Sequence, residues 1–214
     1  MTFKEYMENA FRQLSQRGWL KDLKPSEITD SEITKFEKRK CLRFPAAFKA
    51  YLTAYKRDDD DIIGIAYDYR NNGLKINLIN LYDFSYDISD LSEALKTFRA
   101  EFKEWETKPD KKVYENLFPI AYMDGYLCLD LSRSDGEDCP VVWLEYGGFW
   151  KENGYFDSEG VLHGEIFAPD FKTFIDWYFC GALENIYEST NGVKVNREFY
   201  ANWLKKNFSY HKGK

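Results

Sequence analysis

The amino-acid sequence predicts an α+β protein, with a mixed, mostly antiparallel central sheet flanked by N-terminal, middle and C-terminal helices. Three observations carry that reading. Apolar side chains recur every three or four residues up to Tyr55, the period drops to two beyond Ile63, and helical spacing returns over 90–106 and again after Pro169.

Taken in order, Phe3, Tyr6, Met7, Ala10, Phe11 and Leu14 share one face of a helix over 3–14, and Gly18 is placed to end it. Thr29 and Glu32 form a capping box for a second helix, with Ile28 and Ile33 as a hydrophobic staple across it. Ile33 and Phe36 then face inward. Pro45 suits the first turn of a third helix, where its missing N–H leaves no bond unmade, and Phe48, Tyr51, Leu52 and Tyr55 continue the apolar stripe. After four consecutive aspartates, Ile63, Ile65, Tyr67 and Tyr69 alternate with polar positions. Asn72-Gly73 supplies a turn and Leu74, Ile76 and Leu78 alternate again, as in a β-hairpin.

Residues 90–106 place Leu91, Leu95, Phe98, Phe102 and Trp105 at helical steps, with Asp90 and Glu93 as the cap. Short β-prone segments follow at 118–122, 126–131 and 141–144, separated by Asp124-Gly125 and a polar stretch over 132–138. Residues 153–164 read as a hairpin or a mobile loop. Pro169 opens a helix through Phe171, Phe174, Ile175, Tyr178 and Phe179 that Gly181 stops. A last amphipathic helix over 196–208 carries Phe199, Trp203, Leu204 and Phe208. The expected organisation is one α+β domain over 1–182 with a helical extension, 183–214, packed on it. One contiguous core is expected to use Phe36, Phe48, Leu52, Leu127, Leu129, Trp143 and Phe174.

Composition bounds the function. Hydrophobic residues make up 44% and charged residues 31% of the 214, which describes a packed globular protein. Aromatic residues reach 18%, enough to build a core from rings in place of Leu and Val. With a net charge of −6, the chain does not read as a binder of nucleic acid or of an anionic membrane, and it leaves room for a basic protein partner. The N-terminal residues carry acids early and no continuous apolar stretch, so no secretory signal is read there, and the expected location is the cytoplasm. Cys41, Cys128, Cys139 and Cys180 form no close pair of the C-x-x-C kind and are expected to be buried free thiols.

Few residues suggest chemistry. The two histidines are His163, with no nucleophile motif to partner it, and His211, read as solvated. Phosphate-cradling glycine loops are missing from the sequence. The run Asp58, Asp59, Asp60, Asp61 lacks the spacing of a calcium loop and reads as a solvated connection. No catalytic residue, metal ligand or cofactor is expected, although a carboxylate pair across a cleft, as in a glycosidase, would not show in sequence.

Two stretches together resemble the SUKH superfamily of bacterial immunity proteins and fungal cell-wall regulators of the Smi/Knr type. In the first, Ile33, Phe36, Glu37, Leu42, Phe44-Pro45, Phe48, Tyr51 and Leu52 resemble the family's acidic helix, hydrophobic-Pro step and aromatic helix. The second comprises Phe118-Pro119-Ile120-Ala121, Asp124-Gly125, the strand from Tyr126 to Leu131, and Pro140-Val141-Val142-Trp143. It is similar to the family's central strands, and Ala168-Pro169-Asp170-Phe171 with Phe174-Ile175 resembles its closing helix. The resemblance spans roughly 28–180. Where the family commonly has a Gly pair after the third helix, this chain has Lys56-Arg57 and the four aspartates.

The resemblance implies no active site. It implies an immunity protein that binds and neutralises a cognate toxin, with an intracellular scaffold or regulator of cell-wall synthesis as the alternative. A basic nuclease is one toxin class that an acidic inhibitor would fit. The partner-binding residues expected on that basis are Asp58, Asp59, Asp60 and Asp61, then Asp135, Glu137 and Asp138, with Tyr146, Phe149 and Trp150 as aromatic anchors.

Overall fold

The computed structural model describes residues 1–16, 22–56, 67–69, 74–76, 80–81, 87–104, 115–122, 125–145, 165–180, 187–189 and 193–195. Helix α1 (Phe3–Gln16) starts at a capping box of its own: Glu5 N–H donates to Thr2 Oγ1 at 3.2 Å, and Thr2 N–H to Glu5 Oε2 at 2.7 Å. It buries Met7, Ala10, Phe11 and Leu14, as its spacing predicts. A two-residue strand β1 (Lys24–Pro25) leads to α2 (Asp30–Lys40), which has the expected Thr29–Glu32 box and buries both staple residues, Ile28 and Ile33. Helix α2 ends at Cys41 with a left-handed φ of 54°, which turns the chain toward α3 (Ala46–Ala54).

The break between α2 and α3 is organised by Glu37. Its Oε1 accepts from Phe44 N–H at 2.7 Å and pairs with Lys49 Nζ at 2.8 Å, so one carboxylate ties the exit of α2 to the body of α3. After α3, strand β2 (Tyr55–Lys56) pairs antiparallel with β1, and Ser26 Oγ donates to Leu52 O at 2.6 Å. The expected hairpin follows as β3 (Tyr67–Tyr69) and β4 (Leu74–Ile76), with Tyr69 opposite Leu74.

A five-stranded sheet forms the centre of the molecule. Its order is β5 (Asn80–Leu81), β6 (Leu117–Tyr122), β7 (Gly125–Asp130), β8 (Val141–Glu145) and β9 (Glu165–Ala168). Every described pairing is antiparallel, so the parallel part of a mixed sheet has no counterpart among the described strands. A bulge at Ile120, beside Pro119, shifts the β6–β7 register, consistent with a residue that cannot donate to the ladder. Five of the six residues of β6 and all six of β7 are buried, so both faces of the sheet's middle are covered.

Helix α4 (Ile88–Glu104) packs on β6 and α2. It starts earlier than the sequence suggests: Asp87 caps it, accepting from Ser89 N–H at 2.8 Å, and Asp90 reaches back to Asp87 N–H. The expected Asp90–Glu93 cap is therefore corrected by one turn, which adds Ile88 to the packed face; Glu93 pairs with Lys96 instead. Helix α5 (Phe171–Cys180) lies against α1 and α3. Beyond it, β10 (Tyr187–Ser189) and β11 (Val193–Val195) form an antiparallel hairpin beside β4, strands that the expected helical extension over 183–214 did not include. The helix expected over 196–208, the alternatives for 153–164, and both histidines lie outside the described residues.

One hydrophobic cluster joins these layers. Phe36, Phe48, Leu52, Leu127, Leu129 and Phe174 all belong to it; the side chain of Trp143 lies outside the described residues. Rings interlock edge to face through its middle: Phe44 to Phe118 at 4.8 Å, Phe48 to Phe171 at 5.2 Å and Phe11 to Phe179 at 5.1 Å between centroids. The thiols of Cys128 and Cys139 are buried and free, whereas Cys41 is exposed because the chain reverses there. Phe48 touches the rings of Phe44 ahead of α3, Phe118 of β6 and Phe171 of α5, so Phe48→Ala is expected to destabilise the fold by about 3–5 kcal/mol through lost transfer energy and the cavity left. Urea denaturation checks this, with the midpoint falling at an unchanged slope; an unmoved midpoint would remove Phe48 from the core.

Candidate partner-binding site

The acidic segment 134–138 lies between β7 and β8, after a single 3-10 turn over Leu131–Arg133. Asp130 starts that turn: its carboxylate is buried, accepts from Ser132 N–H at 3.1 Å and pairs with Arg133 Nε at 2.5 Å. The next turn is built by short polar side chains folding onto their own backbone. Asp135 Oδ1 accepts from Glu137 N–H and Asp138 N–H, both at 2.8 Å, and Ser134 Oγ bridges Gly136 N–H and Asp138 O. Gly136 sits at φ 92°, a conformation open to glycine at little cost.

This turn closes on two helix N-termini. At α3, Ala46 N–H donates to Gly136 O at 3.0 Å and Ala47 N–H to Glu137 O at 2.9 Å. Pro45 takes the capping position, with φ −67° and ψ 156°, and not the first helical turn as expected; having no side-chain acceptor, it leaves the cap to the turn's carbonyls. At α5, Asp138 Oδ1 accepts from Phe171 N–H at 3.0 Å and Oδ2 from Lys172 N–H at 3.2 Å, while Asp170 Oδ1 accepts from Thr173 N–H at 2.6 Å. Asp170, not Pro169, therefore opens α5. Asp138 Oδ1 also accepts from Cys139 N–H at 2.8 Å.

The three acids of the turn thus divide. Asp135 and Glu137 are exposed, whereas Asp138 is partly buried and committed to the α5 N-terminus. Their electrostatics diverge for the same reason. Backbone N–H donors hold the exposed Asp135 carboxyl below its ordinary range. Asp138 is pushed up to about 7, because burial and then the neighbouring Asp170 charge outweigh its three backbone donors. Burial and adjacent aspartates likewise raise the Cys139 and Cys128 thiols, which keeps both in the thiol form. Among the described residues, no group of His, Cys, Asp and Glu is placed to hold a metal ion. Asp58, Asp59, Asp60, Asp61, Tyr146, Phe149 and Trp150 lie outside the described residues, so the structure brings together only the 135–138 part of the expected surface.

The model of the SMI1 / KNR4 family (SUKH-1) matches residues 27–177. The chain belongs to this family. The match begins just before the Thr29 cap and ends within α5, so it takes in the sheet and the acidic turn, while α1 and the 187–195 hairpin lie outside it. Among curated proteins, no sequence matches the chain. No described helix is long and apolar enough to cross a membrane.

Asp138 gives this SUKH-1 protein a pH dependence with a defined sign. A group protonated more readily in the folded than the unfolded state favours folding below its folded pKa. Its contribution is therefore fully present at acid pH and is lost as pH rises toward and through about 7. Asp135, Glu5 and Glu32, all lowered, act oppositely and only below the ordinary carboxylate range. Between pH 5 and 8 the melting temperature of the wild type is expected to fall, and Asp138→Asn to flatten that slope. Equal slopes in both proteins would show that Asp138 does not titrate there.

Proposed function

We propose that this SUKH-1 protein is a non-catalytic cytoplasmic binder, an immunity protein that neutralises a cognate toxin by covering its working surface. Membership of the family supports a protein partner, and the net charge of −6 suits a basic one. The observation that carries the reading furthest is the acidic turn, which presents Asp135 and Glu137 to solvent from a backbone fastened to α3 and α5. A binding element fixed beforehand loses little entropy on docking, and exposed like charges accelerate encounter with an opposite surface. Asp138 leaves this surface because its carboxylate is already engaged. The four aspartates over 58–61 and the rings Tyr146, Phe149 and Trp150 remain its expected extension, with the rings as anchors that set dissociation.

The buried and partly buried carboxylates bear on the absence of catalysis in this proposal. Asp130, Asp138 and Glu37 each accept backbone N–H groups or pair with a cation, which is structural employment. A basic nuclease is the toxin class that an acidic cover would suit, since such an enzyme must be cationic to hold phosphate.

The test is stopped-flow association with the cognate toxin across a salt series. Asp135→Asn keeps an acceptor oxygen for the turn, so Asp135→Asn with Glu137→Gln removes charge and leaves the backbone held. The double variant is expected to associate several-fold more slowly with a shallower salt dependence, and neutralising the aspartates over 58–61 to deepen the effect. Unchanged rates in both variants would remove the acidic surface from the interface. Capture of a wall-synthesis protein in place of a toxin would move the assignment to the intracellular regulator.

A further inference from the structure

The acidic turn holds its charge in two layers. Asp135 and Glu137 face solvent, and behind them the half-buried Asp138 carboxylate is closed in by backbone, with Cys139 N–H at 2.8 Å, Phe171 N–H at 3.0 Å and Lys172 N–H at 3.2 Å. The layers are joined directly, since Asp135 Oδ1 accepts from Asp138 N–H at 2.8 Å. A cation that pairs with Asp135 is therefore brought close to Asp138 as well.

The groups around Asp138 leave its charge without a cationic partner. Asp170, at the start of α5, is the like charge that raises it, after burial itself. Asp135 and Glu137 stand in its own turn, and Cys139, next in the chain, stays a neutral thiol. The 3-10 turn ahead of it contributes Asp130, which is already paired with Arg133. From α5 comes Lys172, whose ammonium lies over the Tyr6 ring at 4.5 Å, and α3 sets only the uncharged Ala46 and Ala47 against the turn. Among the described residues, no cation forms an ion pair with Asp138.

We propose that docking of a basic partner on the acidic turn drives a proton off Asp138, so that this surface binds more tightly as pH rises through neutrality. This rests on the reading of the turn as the partner surface. The step is an exchange: the partner's cation supplies the favourable charge that Asp138 lacks in the free protein, the carboxyl O–H breaks, and its proton passes to the buffer. Covering the turn takes little further water from Asp138, because backbone donors already occupy its oxygens, so attraction to the cation outweighs added desolvation. Folding and binding then answer pH in opposite senses. Stability falls as pH rises through about 7, since the protonated carboxyl favours the folded state, while affinity increases.

Isothermal titration of the full chain with an N-acetylated decalysine peptide at low salt, between pH 6 and 8 and in two buffers of different ionisation heat, tests the proposal. Affinity is expected to rise about fivefold over that range, as about a tenfold loss of proton affinity on binding gives, with about half a proton released per complex at pH 6.5. Asp138→Asn is expected to abolish both effects. Because that change alters the hydrogen bonds of the turn, Asp170→Asn supplies an independent readout. It keeps an oxygen for Thr173 N–H and removes the like charge beside Asp138, and is expected to move the midpoint of the affinity profile to lower pH. A merely supporting Asp138 would move no midpoint. Affinity flat between pH 6 and 8, a midpoint unmoved by Asp170→Asn, or proton release that persists in Asp138→Asn would each overturn the proposal. The acidic surface itself would survive those results if Asp135→Asn with Glu137→Gln still weakens the peptide. Peptide binding indifferent to that double variant would overturn the surface and the proposal together.

Discussion

Two helices begin against the same turn, and their unbonded N–H groups set the constraint on which the rest of the architecture depends. A helix N-terminus turned toward the protein interior must find acceptors, or each orphaned donor costs a desolvation penalty. Here the acceptors come from the β7–β8 connection: the carbonyls of Gly136 and Glu137 for α3, and the Asp138 carboxylate for α5. Since the same connection continues into β8, satisfying these donors also fixes both helices relative to the sheet. The aromatic core then fills a space whose walls are already set. Phe48 and Phe171 meet because their helices start from neighbouring points, and Phe44, just ahead of α3, packs on Phe48.

An aspartate at 138 is not the least costly choice for a half-buried position, and the geometry explains why it is used. Three donors, from Cys139, Phe171 and Lys172, converge on two oxygens. An asparagine would offer one acceptor oxygen and turn its NH2 toward the third donor. The negative charge also lies at the positive end of α5, worth about 0.3–1 kcal/mol where exposed and more where buried. Against this stand desolvation and the Asp170 charge, and the upward displacement of the Asp138 carboxyl records that they prevail. Asp135, bonded to backbone donors in the same turn, moves the opposite way because it is exposed. Burial, more than the number of donors, decides the direction.

What the sequence discloses follows the range over which each interaction acts. The Thr29–Glu32 box and the Ile28–Ile33 staple are complete within six residues and stand as read. The strands β6, β7 and β8 are legible as short β-prone segments bounded by Asp124-Gly125 and the polar stretch. Pro45 is misplaced by one position because what lies ahead of α3 is a turn about 90 residues downstream, and no local rule encodes it. The α4 cap is misread because Asp87 and Asp90 satisfy the same pattern as Asp90 and Glu93, and only the packing of the partly buried Ile88 against the core decides between them. Strand β9 is four residues long and bulged against β8, too short and irregular for alternation to show. The β10–β11 hairpin did carry a signal, Asn191-Gly192 between Tyr187-Glu188-Ser189 and Val193-Lys194-Val195. Of the candidate site, Asp135 and Glu137 are exposed, as a run of solvated charge suggests from sequence. The partial burial of Asp138 is not legible, since it depends on donors in α5 more than thirty residues away.

Recognition by such a scaffold is governed by how its charges are held as much as by how many there are. The acidic turn rests on elements that the core immobilises, so its two exposed carboxylates, Asp135 and Glu137, are held in place beforehand. In the proposed binding role, charges fixed on a rigid aromatic-cored frame would distinguish among basic proteins that net charge alone treats alike, and this distinction would weaken with salt because the contributing charges stay solvated.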